Sequence, residues 1–530
     1  MQVVIPMSGY GKRFRTKGYV VPKPLIKVDE KPIIQHVVNL FPNDCKFIFI
    51  CNEDHLNNPI YKMKHIIQSC AKNSMIVPIK PHKLGPVNAI IQAKSYIDLE
   101  AKTIVNYADF FCLWNFLEFK KMVEITNCEG AIPAYKNFHP HTIWSNYYAY
   151  LKEKNMNLLD IKEKQSFTEN PQQEFASTGT YYFKTGKILI DYAEKSMVEK
   201  LKVNGEFYAS MIYKPMLKEN KKIMVFEINH FMQWGTPEDL KDYQYWSKAF
   251  AAITREKSGK LYDGTLLLPM AGFGERFKEK GYKLPKPLNL VSSKPMAIQA
   301  FLDLPKTKKV SLILRKEMEG GNQLFKMVKT LNKQTTITML NKPTNGQASS
   351  CMAGVFDIND DEPIVIGACD NGMIYDNNKY EKLIGNSNVD IIVWAIRGYP
   401  NAQRVPKMYG WIDVDEKTGL IKKISVKKPL HSKENDPIVI GTFSYKKLDY
   451  FKKSVQKMKK RKGKINNEYY IDTSINDAIT LGYRCYIFEV DFYLCWGTPN
   501  DYETFNYWQK CFSNWNDHPY KLHLDPNYYT

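Results

Sequence analysis

The chain has 530 residues, 44% of them hydrophobic, and a net charge of +20. That length holds two or more domains, each able to bury its own core. No apolar run nears the roughly 20 residues a membrane-spanning helix needs, and Met1 leads straight into a strand-like run with no basic-apolar leader. Ten cysteines without a C-x-x-C pair argue against a disulfide framework or a zinc finger and predict reduced thiols in a cytoplasmic protein. The positive balance admits nucleic-acid binding. Its richest run, KKSVQKMKKRKGK at residues 452–464, fits the solvated face of a surface helix better, and a positive field also suits phosphorylated ligands.

In chain order, Val3-Val4-Ile5 predicts a buried strand, followed at once by MSGYGKRFRTKGYVVPKPL at residues 7–25. Gly9 and Gly11 let the backbone approach an anion closely and turn its N–H groups inward. A helix starting just beyond adds the positive end of its dipole. Arg13 can fork two phosphate oxygens, and Lys23 is a point charge held between Pro22 and Pro24. Strand-like runs follow at residues 46–51, 75–79, 103–107, 131–135 and 178–183. Asp109 closes the run TIVNYAD, where a carboxylate at a strand's end beside a phosphate loop is placed to hold Mg2+.

A polar connector at residues 251–263 then gives way to a second copy, in which MAGFGERFKEKGYKLPKPL at residues 270–288 again follows an apolar run. Gly272 lies 263 residues after Gly9, Lys286 263 after Lys23, Asp370 261 after Asp109 and Glu468 262 after Glu206. Gly274 and Arg276 likewise answer Gly11 and Arg13. So constant a period over about 260 residues predicts tandem domains, residues 1–250 and 264–530, rather than a solenoid. The second copy has strand-like runs at residues 310–314, 335–340, 363–366, 391–396 and 439–443. Strands alternating with helical stretches predict an α/β class with two Rossmann-like domains, each a mainly parallel mixed sheet flanked by helices. Ligands then sit beyond the strands' carboxyl ends.

The G-x-G-x-R-F stretch followed by P-K-P-L resembles the signature of the sugar-nucleotidyltransferases, or nucleotide-sugar pyrophosphorylases. It is neither the Rossmann G-x-G-x-x-G nor a P-loop. The long insert between Arg13 and Pro22 is similar to a bacterial branch linked to capsule and surface-polysaccharide synthesis. The resemblance covers nearly the whole chain. It implies two tandem nucleotidyltransferase domains of the GT-A type. Each transfers a nucleoside monophosphate from a nucleoside triphosphate, with CTP the first choice, to a phosphorylated sugar or other small metabolite, and pyrophosphate leaves.

The resemblance also implies residue roles. Arg13, Lys23, Arg276 and Lys286 would act on the phosphates, and Asp109 and Asp370 would hold Mg2+. Gly9, Gly11, Gly85, Gly272, Gly274 and Gln347 would line the nucleotide, with Pro86 standing in the first copy where Gln347 stands in the second. Lys164 and Lys428, in E-K-P-like segments, would meet the second substrate's phosphate, and Glu206 and Glu468 its polar substituents. Glu206 and Glu468 also open helical stretches, where an acid suits the helix dipole. The second substrate would lie near residues 135–150 and 397–411, where His139, His141 and Trp144 in one copy face Arg397, Arg404 and Lys407 in the other. The chain departs from the family at the second metal carboxylate, two residues before a Gly-Thr pair, where Gln233 and Cys495 stand. Glu227, Asn229, Glu489 and Asp491 are the nearby oxygen donors.

The incoming phosphate is already mostly ionised, since its second pKa is near ~6. No general base is then required, and positioning with charge stabilisation carries the reaction. The expected partners are small molecules only, for a monomer or homo-oligomer without nucleic-acid or membrane contacts. The alternatives are one catalytic half with a nucleotide-binding regulatory half, and a metal-dependent glycosyltransferase.

Overall fold

The computed structural model describes residues 1–144, 147–254 and 259–528. The chain divides into two compact units, Met1–Gln244 and Tyr245–Thr530. The boundary falls within the helix Pro237–Ile253. Of the polar connector expected at residues 251–263, residues 255–258 lie outside the described residues.

In the first unit, Gln2–Met7 is an interior strand, third from one edge, of a ten-stranded sheet. Val3, Val4 and Ile5 are fully buried, as β-branched residues covered on both faces of a parallel sheet should be. Lys46–Asn52 and Thr103–Asn106 flank it in parallel, and Ser74–Ile79 lies beyond Lys46–Asn52. The chain runs outward on one side of Gln2–Met7 and returns on the other. The crevice between Gln2–Met7 and Thr103–Asn106 is therefore a topological switch point, the place where α/β sheets bind ligands. Thr180–Phe183 then enters antiparallel between Thr103–Asn106 and Gly130–Tyr135. The single strand expected over residues 178–183 is interrupted at Gly179, whose φ of 96° breaks the extended path. A hairpin of Ala149–Lys154 and Asn157–Glu163 extends the sheet, pairing Glu163 with Ala149. Mainly parallel therefore describes the Gln2–Met7 side only, and the sheet as a whole is mixed.

The second unit has a nine-stranded mixed sheet built about Tyr262–Met270. Thr307–Arg315 and Ile364–Ile366 flank it in parallel, and Ile438–Tyr445 enters antiparallel beyond Ile364–Ile366. A hairpin of Gly410–Val414 and Ile421–Val426 again branches from the sheet, pairing Gly410 with Val426. Leu266, Leu268, Leu312, Leu314 and Trp394 are all buried in this unit's core. The basic run at residues 452–464 falls mostly on the helix Leu448–Lys460. Leu448, Phe451, Val455 and Met458 bury one face of it, and most of the lysines stand on the other. All ten cysteines are free thiols. Among the described residues no helix is long and apolar enough to cross a membrane.

Candidate active site

Immediately after Gln2–Met7, Gly11 takes φ 64° and caps the helix Lys12–Thr16. This is the left-handed region that glycine enters at no steric cost. Gly274 repeats it at φ 65° before Glu275–Glu279. Each helix is only five residues long, so the loop's anion affinity rests on backbone N–H groups more than on the expected dipole. Gly9 and Gly272 have open space where a Cβ would stand.

Pro22 and Pro24 hold Lys23 at the start of a 3-10 turn. Lys23 Nζ lies 2.7 Å from Asp109 Oδ2 and donates to Gly235 O at 3.2 Å. The second unit repeats the arrangement: Lys286 Nζ lies 2.5 Å from Asp370 Oδ2 and 2.7 Å from Gly497 O. Burial pulls the Lys286 pKa down, but Asp370 and Cys369 beside it push harder, and the net direction is up. It is therefore a firm cation at neutral pH.

Two cavities meet at the Lys23–Asp109 pair. One is lined by Gly9, Gly11, Gly85, Pro86, His82 and Glu206, with Lys23 and Asp109 at its inner end. The other is lined by Arg13, Tyr147, Tyr148, Glu163, Lys164 and Gln233, again with Lys23 and Asp109. The first suits a nucleotide laid against glycines, and the second a compact anionic molecule bearing polar groups. Arg13 is exposed, with its guanidinium 5.5 Å from the centre of the Tyr147 ring. Arg276 is exposed as well.

Gly85 caps the helix Pro86–Gln92 at φ 86°. A Cβ there would stand 2.7 Å from Phe207 N and 3.0 Å from Glu206 Cβ. Gly346 does the same against Tyr469 N and Glu468 Cβ, at φ 99°. Only glycine lets these two loops touch, so the loop of Gly85 or Gly346 and the loop of Glu206 or Glu468 are held as one piece. Pro86 and Gln347 both occupy the first helical position, where proline is well tolerated. Glu206 and Glu468 stand in turns a few residues ahead of the helical segments Ala209–Ile212 and Ile471–Thr480, not at their first turns. The helix-dipole expectation for them is thereby corrected. Their carboxylates take tyrosine hydroxyls instead, Glu206 from Tyr208 and Glu468 from Tyr470.

Lys164 closes that first network. Its Nζ reaches the Tyr208 hydroxyl at 2.5 Å and lies 4.4 Å from the ring centre. Lys164 has φ 59°, and its N–H bonds Tyr148 O at 2.8 Å. In the second unit the residue with this geometry is Lys427, not Lys428. Lys427 has φ 66°, its N–H bonds Tyr409 O at 2.8 Å, and its Nζ lies 5.6 Å from the Tyr470 ring centre. Strand pairing decides this register, and it puts Lys428 one residue past the position.

Glu163, which motif reading passed over for its neighbour, is the buried carboxylate of the second cavity. Burial raises its pKa to about 7, while the Ser210 hydroxyl, donating at 2.6 Å, and the Lys164 charge pull it partly back. The signal available was its own place in the E-K-P-like segment. His139 and His141 pack instead beside Tyr135 and Phe231, with the Tyr135 hydroxyl 2.9 Å from His141 Nε2. Burial drives the His139 pKa down to about 3, so it stays neutral. From residues 135–150 the cavity takes Tyr147, Tyr148 and Ala149; residues 145 and 146 lie outside the described residues.

The fit of this site to Mg2+ rests on one carboxylate per unit. Among the described residues, no three His, Cys, Asp or Glu side chains gather as a metal cluster. Glu227 and Asn229 line a separate groove with Trp114, Glu489 pairs with Arg397 at 2.9 Å, and Asp491 lines another cavity with Tyr375. None of these four replaces the missing acid. Gln233 offers a neutral oxygen in the cavity of Asp109. Cys495 is a buried thiol whose sulfur accepts from Gly497 N at 3.4 Å. A single carboxylate still suits Mg2+, which keeps waters and takes most of its ligands from substrate phosphates.

Residues 2–247 match the family model described as Nucleotidyl transferase. That match falls on the first unit and on the start of the second. Over 243 residues, 45% of its length, the chain is 25% identical to the bifunctional protein GlmU of Methanocaldococcus jannaschii, of which 52% is covered. A second relative, the GlmU of Methanococcus maripaludis, is 25% identical over 39% of this chain and 49% of its own length. The chain thus spans about half the length of these relatives. Among solved structures, a nucleoside-diphosphate-sugar pyrophosphorylase from Vibrio cholerae is similar at 16% identity and a TM-score of 0.38, over 46% of this chain and 99% of its own.

Proposed function

We propose that the chain is a nucleotidyltransferase with two like sites, a tandem pair in residues 1–250 and 264–530. Each transfers a nucleoside monophosphate from a nucleoside triphosphate to a phosphorylated sugar or related small metabolite. CTP is the nucleotide of first choice, and precursors of capsule or surface polysaccharide are the products, on the likeness of the long Arg13–Pro22 insert alone. The observation that carries the reading is the lysine–aspartate pair where two cavities meet in the first unit, made again by Lys286 and Asp370 in the second unit.

The acceptor's phosphate, ionised at neutral pH, sits in the second cavity between Arg13, Lys23 and Lys164 and attacks the α-phosphorus in line. The glycine loop's N–H groups steady the pyrophosphate as it leaves. Lys23 swings from Asp109 to the phosphates, and its charge offsets that of the transition state. Asp109, freed by that exchange, would hold Mg2+ together with phosphate oxygens, and the ion supplies further charge neutralisation there. Arg276, Lys286, Lys427 and Asp370 take the same parts in the second unit. Glu206 and Glu468 brace the nucleotide loops through Gly85 and Gly346 and present hydroxyl-accepting oxygens toward the ligands.

One observation favours a second reading, in which the second unit binds nucleotide without turnover: Cys495 offers no metal oxygen where Gln233 does. Pyrophosphate release separates the two. Purified protein is given Mg2+, each common nucleoside triphosphate and a panel of phosphate esters. Two nucleotide–ester pairs, one lost in Arg13→Ala and the other in Arg276→Ala, are expected. A single pair lost in only one variant makes the other unit regulatory, and no release with any pair overturns transfer.

A further inference from the structure

The two units place a carboxylate differently beside corresponding hairpins, the buried Glu163 on a strand in the first and the half-buried Asp472 on a helix in the second. In the first unit Glu163, at the end of Asn157–Glu163, is paired across the hairpin with Ala149, and Ser210 from the facing segment donates to it at 2.6 Å. In the second unit each of these three positions has changed. The cross-strand pair is Val426 with Gly410, so the strand carboxylate is gone and its partner has lost its methyl. Ser210 is replaced by Asp472, four residues after Glu468 as Ser210 is four after Glu206. The facing loops share one register, because Phe207 N–H bonds Leu84 O and Tyr469 N–H bonds Asn345 O, each just before the capping glycine.

The space vacated is the space refilled. A Cβ on Gly410 would lie 2.5 Å from Asp472 Oδ2. Asp472's carboxylate therefore rests against Gly410, opposite Val426, the neighbourhood that Glu163 holds opposite Ala149. An aspartate carboxylate extends about one bond beyond a serine hydroxyl, so the substitution carries the acid toward the strand while the glycine makes room. A helix N-terminal acid needs no such accommodation. Burial keeps the Asp472 pKa high, at about 6, as it does for Glu163.

We infer that Asp472 reads the polar end of the acceptor in the second unit, in the part Glu163 plays in the first, and that the two units take different phosphate esters. This rests on the acceptor cavity proposed above. The phosphate end is handled alike in both units, by Lys164 or Lys427 over a tyrosine. The far end meets the acid from the strand in one unit and from the helix in the other. A rigid ester whose hydroxyl or ammonium group satisfies Glu163 presents that group at the wrong angle to Asp472. The ionised carboxylate accepts from such a donor, and the protonated form can donate as well, so an ester with a hydroxyl group satisfies either form.

The test uses the full chain with one unit silenced, Arg13→Ala to read the second and Arg276→Ala to read the first. Thermal shifts are measured with α-D-glucose 1-phosphate, glycerol 3-phosphate and phosphoethanolamine, which separate hydroxyl from ammonium donors without requiring turnover. Different rank orders in the two backgrounds are expected, and a shared order overturns the inference. Asp472→Asn, nearly isosteric, is expected to weaken the ester preferred by the second unit about tenfold or more while leaving nucleotide affinity within about twofold. Unchanged ester affinity overturns the assignment. Should Asp472→Asn lower the urea midpoint, the triple variant Gly410→Ala, Val426→Glu, Asp472→Ser is read instead. It rebuilds the first unit's arrangement and should adopt its preferred ester; retention of the old preference overturns the inference. Esters that bind without pyrophosphate release overturn the transfer reading alone, and a chain stabilised by none of them overturns both.

Discussion

Two glycines show how differently one residue type acts in this site. Gly85 is required twice over, by its φ of 86° and by backbone 2.7 Å from any Cβ. Gly85→Ala should lower stability by about 1–3 kcal/mol and weaken nucleotide binding in the first unit, read from the urea midpoint and a nucleotide titration. Gly9 has nothing within 4 Å, so Gly9→Ala should change stability by under about 0.5 kcal/mol while narrowing the approach to the phosphates. Glu163 carries a pH signature. Its pKa is raised from 4.5 to about 7 by burial, so the folded state keeps a proton that the unfolded chain has released across that window. Its contribution to stability is fully present below about pH 4.5 and is lost as pH rises through 7. Urea unfolding at pH 5 and pH 8 should show a loss of about 1–3 kcal/mol that Glu163→Gln removes; the same slope in both proteins would refute it.

Among the elements, the helix Leu448–Lys460 separates charge from packing. Phe451 is fully buried, whereas Lys453 is exposed and pairs with Asp449 one turn earlier. Phe451→Ala should cost about 3–5 kcal/mol and Lys453→Ala under about 0.5 kcal/mol, both measured by urea denaturation. The basic run is thus accounted for as the wet face of a packed helix. The hairpins decide which side chains meet the facing segments in each unit. Their register puts Glu163 opposite Ala149 and Val426 opposite Gly410, and a one-residue slip would turn the acids and lysines to the other face.

At the scale of the molecule, each unit has its own sheet and its own core. Unfolding in urea should therefore depart from a single transition, since independent cores need not melt together. Phe451→Ala should move only the component belonging to the second unit. One coincident transition by fluorescence and circular dichroism, shifted whole by Phe451→Ala, would contradict this. The net charge of +20 favours the approach of anionic ligands at low salt.

By itself the sequence determined the α/β class, the strands that lead into the glycine turns, and the lysine and aspartate that the fold brings together after them. Val3-Val4-Ile5 and Leu266-Leu267-Leu268 can hardly be other than buried strands, and a glycine turn with a proline-held lysine keeps its meaning wherever it is read. Lys23 and Asp109, 86 residues apart, were legible because each stands at the end of such a run. Residues whose role depends on what faces them were not legible. The repeat period runs between 261 and 263, and Lys427 lies 263 residues after Lys164 where Lys428 lies 264 after it, so the spacing already favoured Lys427; the hydrogen bond its N–H donates to Tyr409 O fixes that register. Glu163 looked like any charged residue in a strand until Ser210 was found against it. Asp472 stands in the first turn of Ile471–Thr480, an ordinary place for an acid, and only the fold brings Gly410 against it. Strand runs and turns are written locally, in hydrophobicity and permitted φ. The chemistry of a pocket is written in pairs brought together from distant segments, and only the tertiary structure decides which pairs meet.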